Sequence, residues 1–186
     1  MDIGATIRQM ILEVGAYKAA VLQKEDIVLS AEFRSICRSG QCGKYGRCWM
    51  CPPDIEEIDV LMHRVKEYSG AVLYQTVSDI DDSFDMEGML KAGHNHAALS
   101  QKIRHRLNGN VSNTLLHLSC GGCRLCDHCA KEIDEPCRFP TLAMPSLEGY
   151  GVDVYRTSLR TDLKYINGEN TVTFFGMVLY REVENG

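Results

Sequence analysis

No apolar run in this chain approaches the length of a membrane-spanning helix, so no transmembrane segment is expected. Positive charge is not in excess either. The formal net charge of −5 argues against a nucleic-acid-binding surface, which is usually basic. The opening residues Met1-Asp2-Ile3-Gly4-Ala5-Thr6 lack a basic segment followed by an apolar core, so no secretory signal is expected and the chain is assigned to the cytoplasm. Gly149-Tyr150-Gly151 is too short for a dinucleotide fingerprint, and no phosphate-cradling glycine loop occurs. A nucleophile elbow and an H-E-x-x-H zinc helix are likewise missing. The spacing Cys37-x4-Cys42-x8-Cys51 differs from the compact three-cysteine motif of radical enzymes that use S-adenosylmethionine. Any enzymatic chemistry must therefore rest on something other than these common devices.

What the chain does have is cysteine. Nine cysteines, an odd number, in a chain without a secretory signal point to metal or redox chemistry rather than a disulfide framework. They divide into two groups. The denser is Cys120-Gly121-Gly122-Cys123-Arg124-Leu125-Cys126-Asp127-His128-Cys129 with Pro136-Cys137-Arg138, giving Cys123-x2-Cys126-x2-Cys129-x7-Cys137 and Cys120 as a further thiol. Thiolates are soft ligands that select zinc, copper(I) or iron–sulfur clusters. Overlapping C-x2-C-x2-C with a remote fourth cysteine is how small ferredoxins enclose a cubane, although there the proline follows the remote cysteine. Structural zinc, the alternative, usually pairs two C-x2-C turns across a longer loop. The preferred cofactor is therefore a 4Fe–4S cluster on Cys123, Cys126, Cys129 and Cys137.

The other group is Cys37-x4-Cys42-x5-Cys48-x2-Cys51, studded with Gly40, Gly43 and Gly46. Such glycines let a loop close tightly, because they accept backbone angles that other residues avoid. A second cluster, a mononuclear metal and redox-active thiols all remain open for this loop. Asp54 and Glu57 form a capping-box pattern, which starts a helix at Asp54 and sets Cys51 just before its N-terminus, where the dipole favours a thiolate.

Helical spacing of Ile3, Ile7, Met10, Ile11 and Val14 predicts a first helix over residues 2–15. Lys18 to Leu22 and Ile27 to Leu29 read as short strands across a polar turn, and Ala71 to Val77 as a central one. A long helix is expected at about 85–107, with Met86, Met89, Leu90, Ala97, Ile103 and Leu107 on one side. Leu115 to Leu118 is a strand running into Cys120. Pro145-Ser146 caps a short helical stretch, Asp153 to Leu159 makes another, and Thr171 to Tyr180 is the clearest strand. With 186 residues, 45% apolar and 24% charged, the expectation is one α+β domain over residues 1–186. It has a small mixed sheet with packed helices, and two cysteine-rich metal-binding loops near one another.

The segment from Cys37 through Cys42-Gly43-Lys44-Tyr45-Gly46-Arg47-Cys48-Trp49-Met50-Cys51-Pro52-Pro53 resembles that of a known family. So do Gly122 to Cys129, Pro136 to Pro140 and Pro145-Ser146-Leu147-Glu148-Gly149-Tyr150-Gly151. The family comprises cysteine-rich predicted metal-binding proteins of unknown function from anaerobic bacteria and methanogenic archaea. The resemblance implies ligand roles for Cys37, Cys42 and Cys51 in the first loop and for Cys123, Cys126, Cys129 and Cys137 in the second. Cys48 and Cys120 stand where the family does not usually have cysteine. It implies no reaction.

The expected function is an iron–sulfur protein that passes electrons to a redox partner protein in anaerobic metabolism. The alternatives are a metalloenzyme with an open metal site at Cys37, Cys42 and Cys51, and a non-enzymatic structural zinc protein. His94, His96 and His105 read as solvated residues of the long helix. His128 lies between two ligand cysteines, where it could tune a cluster by hydrogen bonding. Arg124, Lys131 and Arg138 could offset a cluster's negative charge or be plain surface charges.

Overall fold

The structure, a computed structural model, describes residues 2–111 and 114–182. The first helix, α1, runs Ile3–Val14. Asp2 caps it, its carboxylate accepting from the Gly4 N–H at 2.9 Å, and Gly15 ends it in the left-handed region at φ 115°. Ile7 and Ile11, four apart, present the stripe it buries.

Four strands follow: β1 Lys18–Gln23, β2 Gly70–Asp79, β3 Leu115–Leu118 and β4 Thr171–Tyr180. They pair in the order β1-β2-β4-β3, and every pairing is antiparallel, so the expected mixed sheet is narrowed to an antiparallel one within the α+β class. The central position of β2 follows from its sequence: Gly70 to Gln75 is buried without interruption, as a strand covered on both faces requires. Alternation then sends its side chains to two cores. Val72 and Tyr74 join Val178 and Tyr180 against α1 and the long helix α4, Met86–Leu107. Ala71 and Leu73 join Met177 and Leu179 on the other face, against Leu61 and Val65 of α3, Ile58–Lys66, and against Leu147 and Val152.

Several local expectations change. Ile27 to Leu29 is not a strand; Leu29 makes a single bridge to Val152. A helix not read from the sequence, α2 at Glu32–Arg38, carries Cys37 on its last turn. The helix expected from Asp54 begins instead at Ile58, with Glu57 at the N-cap position, and the Asp54 carboxylate pairs with Lys131. In α4 the buried line is Ala92, Gly93, His96, Ser100, Ile103 and Leu107, whereas Met86 and Leu90 are exposed. His96, expected to be solvated, is fully buried, while His94 and His105 are exposed. The last helix, α5, runs Val154–Ser158 behind an Asp153 cap, and Ser146 Oγ accepts from the Gly149 N–H at the short turn before it.

Candidate metal centre

Two irregular segments carry eight of the nine cysteines, and Cys37 lies on the last turn of α2 just before the first of them. The first follows α2 and winds through tight turns, with Gly40, Gly43 and Gly46 in the left-handed region as their spacing suggested. The second leaves the end of β3, where Ser119 bridges to Ser146, and runs to a short 3-10 turn at Ala130–Ile133.

These segments are fastened to each other by contacts that involve no cysteine side chain. Lys131 Nζ lies 2.8 Å from Asp54 Oδ1 and 4.3 Å from the centre of the Trp49 ring. The Trp49 indole N–H donates to the Glu135 carbonyl at 2.9 Å. Arg47 pairs with Glu132 at 3.0 Å. The largely buried Lys131–Asp54 pair is the strongest of these, since exposed ion pairs contribute little.

Within this frame the thiols sort into groups that differ from the sequence blocks. All nine are free. Cys37 and Cys42 hydrogen-bond each other, and both act electrostatically on Cys51, so the three first-loop positions expected as ligands share one neighbourhood. Cys51 does not precede a helix N-terminus, since α3 starts only at Ile58. Cys48 crosses over. It is buried, its thiol bonds to those of Cys51 and Cys129, and the Cys123 backbone donates to it. Together with Cys123, Cys126, Cys129 and Cys137 it lines an apolar cavity of about 20 Å³ walled on one side by Trp49. Cys120 points elsewhere, to a separate pocket beside Arg124.

The electrostatics follow the sulfur contacts. The Cys51 thiol donates to Cys48, which pulls the Cys48 pKa down to about 6; the same bond and burial hold Cys51 protonated. Burial pushes Cys123 up, and it pushes Cys120 to about 11 against the opposing pull of Arg124. Burial also raises the Glu148 carboxyl, which accepts from the Gly121 N–H.

The donor chemistry, free thiols with one already disposed to ionise, suits a soft metal. Among the described residues no three His, Cys, Asp or Glu side chains yet stand in a coordinating arrangement. His128 is exposed and pairs with Glu132 at 3.4 Å, while Arg138 donates to the His128 carbonyl at 3.0 Å. Sequence reasoning missed the alliance of Cys48 with the second loop.

The geometry defines an α+β protein with two cysteine-rich loops joined side by side. Over residues 20–180 the chain matches the family described as predicted metal-binding protein (DUF2284), and it belongs to that family. No curated protein and no solved structure gives a significant match. Among the described residues no helix is long and apolar enough to cross a membrane.

Proposed function

We propose that this protein is an iron–sulfur protein of the cytoplasm, with a 4Fe–4S cluster on Cys123, Cys126, Cys129 and Cys137 serving electron transfer to a redox partner protein in anaerobic metabolism. The observation that carries this reading is the gathering of those four thiols around one apolar cavity. Bound there, a cluster would supply single-electron chemistry, with a potential set by burial and by hydrogen bonds to sulfur. The chain's own part is to keep water away through Trp49 and Phe139, which line the same cavity. Cys48 brings a fifth sulfur from the first loop.

A second reading is a single ion held by thiolates, in either loop. In the first loop it is supported by the shared neighbourhood of Cys37, Cys42 and Cys51. Anaerobic purification followed by metal and acid-labile sulfide analysis separates the two. Iron with equimolar sulfide and a visible chromophore is the result expected for the cluster. Stoichiometric zinc without sulfide would overturn it.

A further inference from the structure

Beside the second cysteine loop lies a pocket of about 210 Å³ between α4 and the turn at Ser119 to Leu125. Its volume equals that of several water molecules at about 30 Å³ each, room for a small organic molecule. Arg124 is the only Lys, Arg, Asp or Glu among the described lining residues; the buried Glu148 carboxyl lies beyond the lining, where it accepts from the Gly121 N–H and interacts with Arg124.

The guanidinium is seated, not loose. It lies against two glycines: a Cβ on Gly93 would stand 3.3 Å from Arg124 Cζ, and one on Gly121 would stand 3.4 Å from Arg124 Nη1. Its Nη1 donates to the Cys120 carbonyl at 3.2 Å, which fixes the plane of the fork. Two serine hydroxyls line the same pocket. Ser100 is 1% exposed and Ser119 9%, and their oxygens are 3.2 Å apart. The Ser100 hydroxyl is used by the His96 carbonyl, Tyr74 and Ser119, so Ser119 is the hydroxyl that can meet a ligand. Tyr74, which bonds Ser100 at 2.7 Å, holds that serine in place.

We infer that this pocket is a binding site for a small carboxylate bearing a neighbouring hydroxyl or carbonyl. The carboxylate lies on the Arg124 fork and the second oxygen meets the Ser119 hydroxyl, which Ser100 holds. Planar two-point recognition is what a guanidinium offers a carboxylate. The pocket is also lined by Cys123, so a bound acid would sit next to the proposed centre. Binding itself does not depend on that centre.

The test is isothermal titration calorimetry on the full chain as purified, with glycolate as the probe. Ethylene glycol serves as its uncharged counterpart and inorganic phosphate as a competing oxyanion. One saturable glycolate site is expected, with ethylene glycol and phosphate each weaker by at least about tenfold. Arg124→Gln should weaken glycolate by about tenfold or more. Gly93→Ala keeps the charge but places a methyl against the guanidinium, and should weaken glycolate as well. The inference is overturned by an absence of saturable binding, by equal binding of ethylene glycol or phosphate, or by affinities unchanged in both variants. If a variant fails to fold, the wild-type comparison of the three probes still decides. Metal and sulfide are assayed on the same samples, so a failed cluster assignment with glycolate binding intact is distinguished from the reverse.

Discussion

The Tyr74 hydroxyl lies 2.7 Å from His117 Nε2, although Tyr74 belongs to β2 and His117 to β3, with β4 running between them. The side chain reaches across because its partner on β4 is Gly176, which leaves a gap in that strand's face. The same hydroxyl meets Ser100 of α4 at 2.7 Å, and His96 stacks on the ring at 5.6 Å. A polar knot is thereby buried inside an otherwise apolar layer, beneath the pocket at Ser119.

Gly176→Ala should destabilise the fold by about 1–3 kcal/mol, because the added methyl overlaps Tyr74 Cζ and Oη at the centre of the sheet. Urea unfolding checks it. Equal midpoints for the two proteins would show that Tyr74 does not cross the strand there.

Tyr74→Phe should cost about 1–3 kcal/mol, since Ser100 and His117 each lose a buried partner. The His117 ring would be affected most, because its Nδ1 already lacks a partner among the described residues. Thermal unfolding of the two proteins measures the difference.

Burial lowers the pKa of His96 to about 4 and of His117 to about 3, from an ordinary 6.5. Both are neutral in the folded chain above those values, whereas the unfolded chain takes up their protons below about 6.5. The stability they confer is complete above about pH 6.5 and declines as the pH falls from there toward the folded values, by on the order of 2 kcal/mol for each histidine near pH 5. Imidazole resonances of both residues should keep their neutral positions at that pH. Charged-form shifts there would contradict it.

Cys48→Ser and Cys129→Ser should disturb the same spectroscopic feature of the metal-loaded protein, because their thiols are in hydrogen-bond contact. Cys120→Ser should leave metal content unchanged, since Cys120 faces the Arg124 pocket. Metal analysis and visible absorption of the three variants decide this. Loss of metal in Cys120→Ser alone would reverse the assignment.

Lys131→Met should lower the melting temperature and hasten metal loss to a chelator. It keeps an apolar stem over Trp49 but leaves the Asp54 carboxylate unpaired between the two loops. Unchanged chelation kinetics would show that the ion pair does not hold the loops.

Much of the scaffold was legible in the sequence, because its elements carry strong periodic or uninterrupted apolar signals. The clearest were α1, β2, α4 and β4, whose ends fell within a few residues of the expected ones. Short or tertiary-determined features were not. α2 has seven residues and little periodicity, and its Arg34 is buried by donating to the Glu56 carbonyl, a contact invisible in one dimension. Asp54 looked like a helix cap because spacing cannot reveal that a lysine far along the chain would claim it. The cysteine loops were identifiable by density, but the pairing of Cys48 with Cys129 depends on how two distant segments meet. His96 was misjudged for a related reason: its solvated appearance came from neighbours on its own helix, and its burial comes from β2 and Phe174 of β4.

The fastening of the two loops through Lys131, Asp54, Trp49, Arg47 and Glu132 has a consequence for how the protein acquires inorganic atoms. A zinc finger has no structure before its ion arrives, so its affinity is diminished by the entropy of ordering the chain. Here part of that ordering, the joining of the two loops, comes from ordinary side chains. A metal bound there would therefore not have to supply the free energy that brings the two loops together.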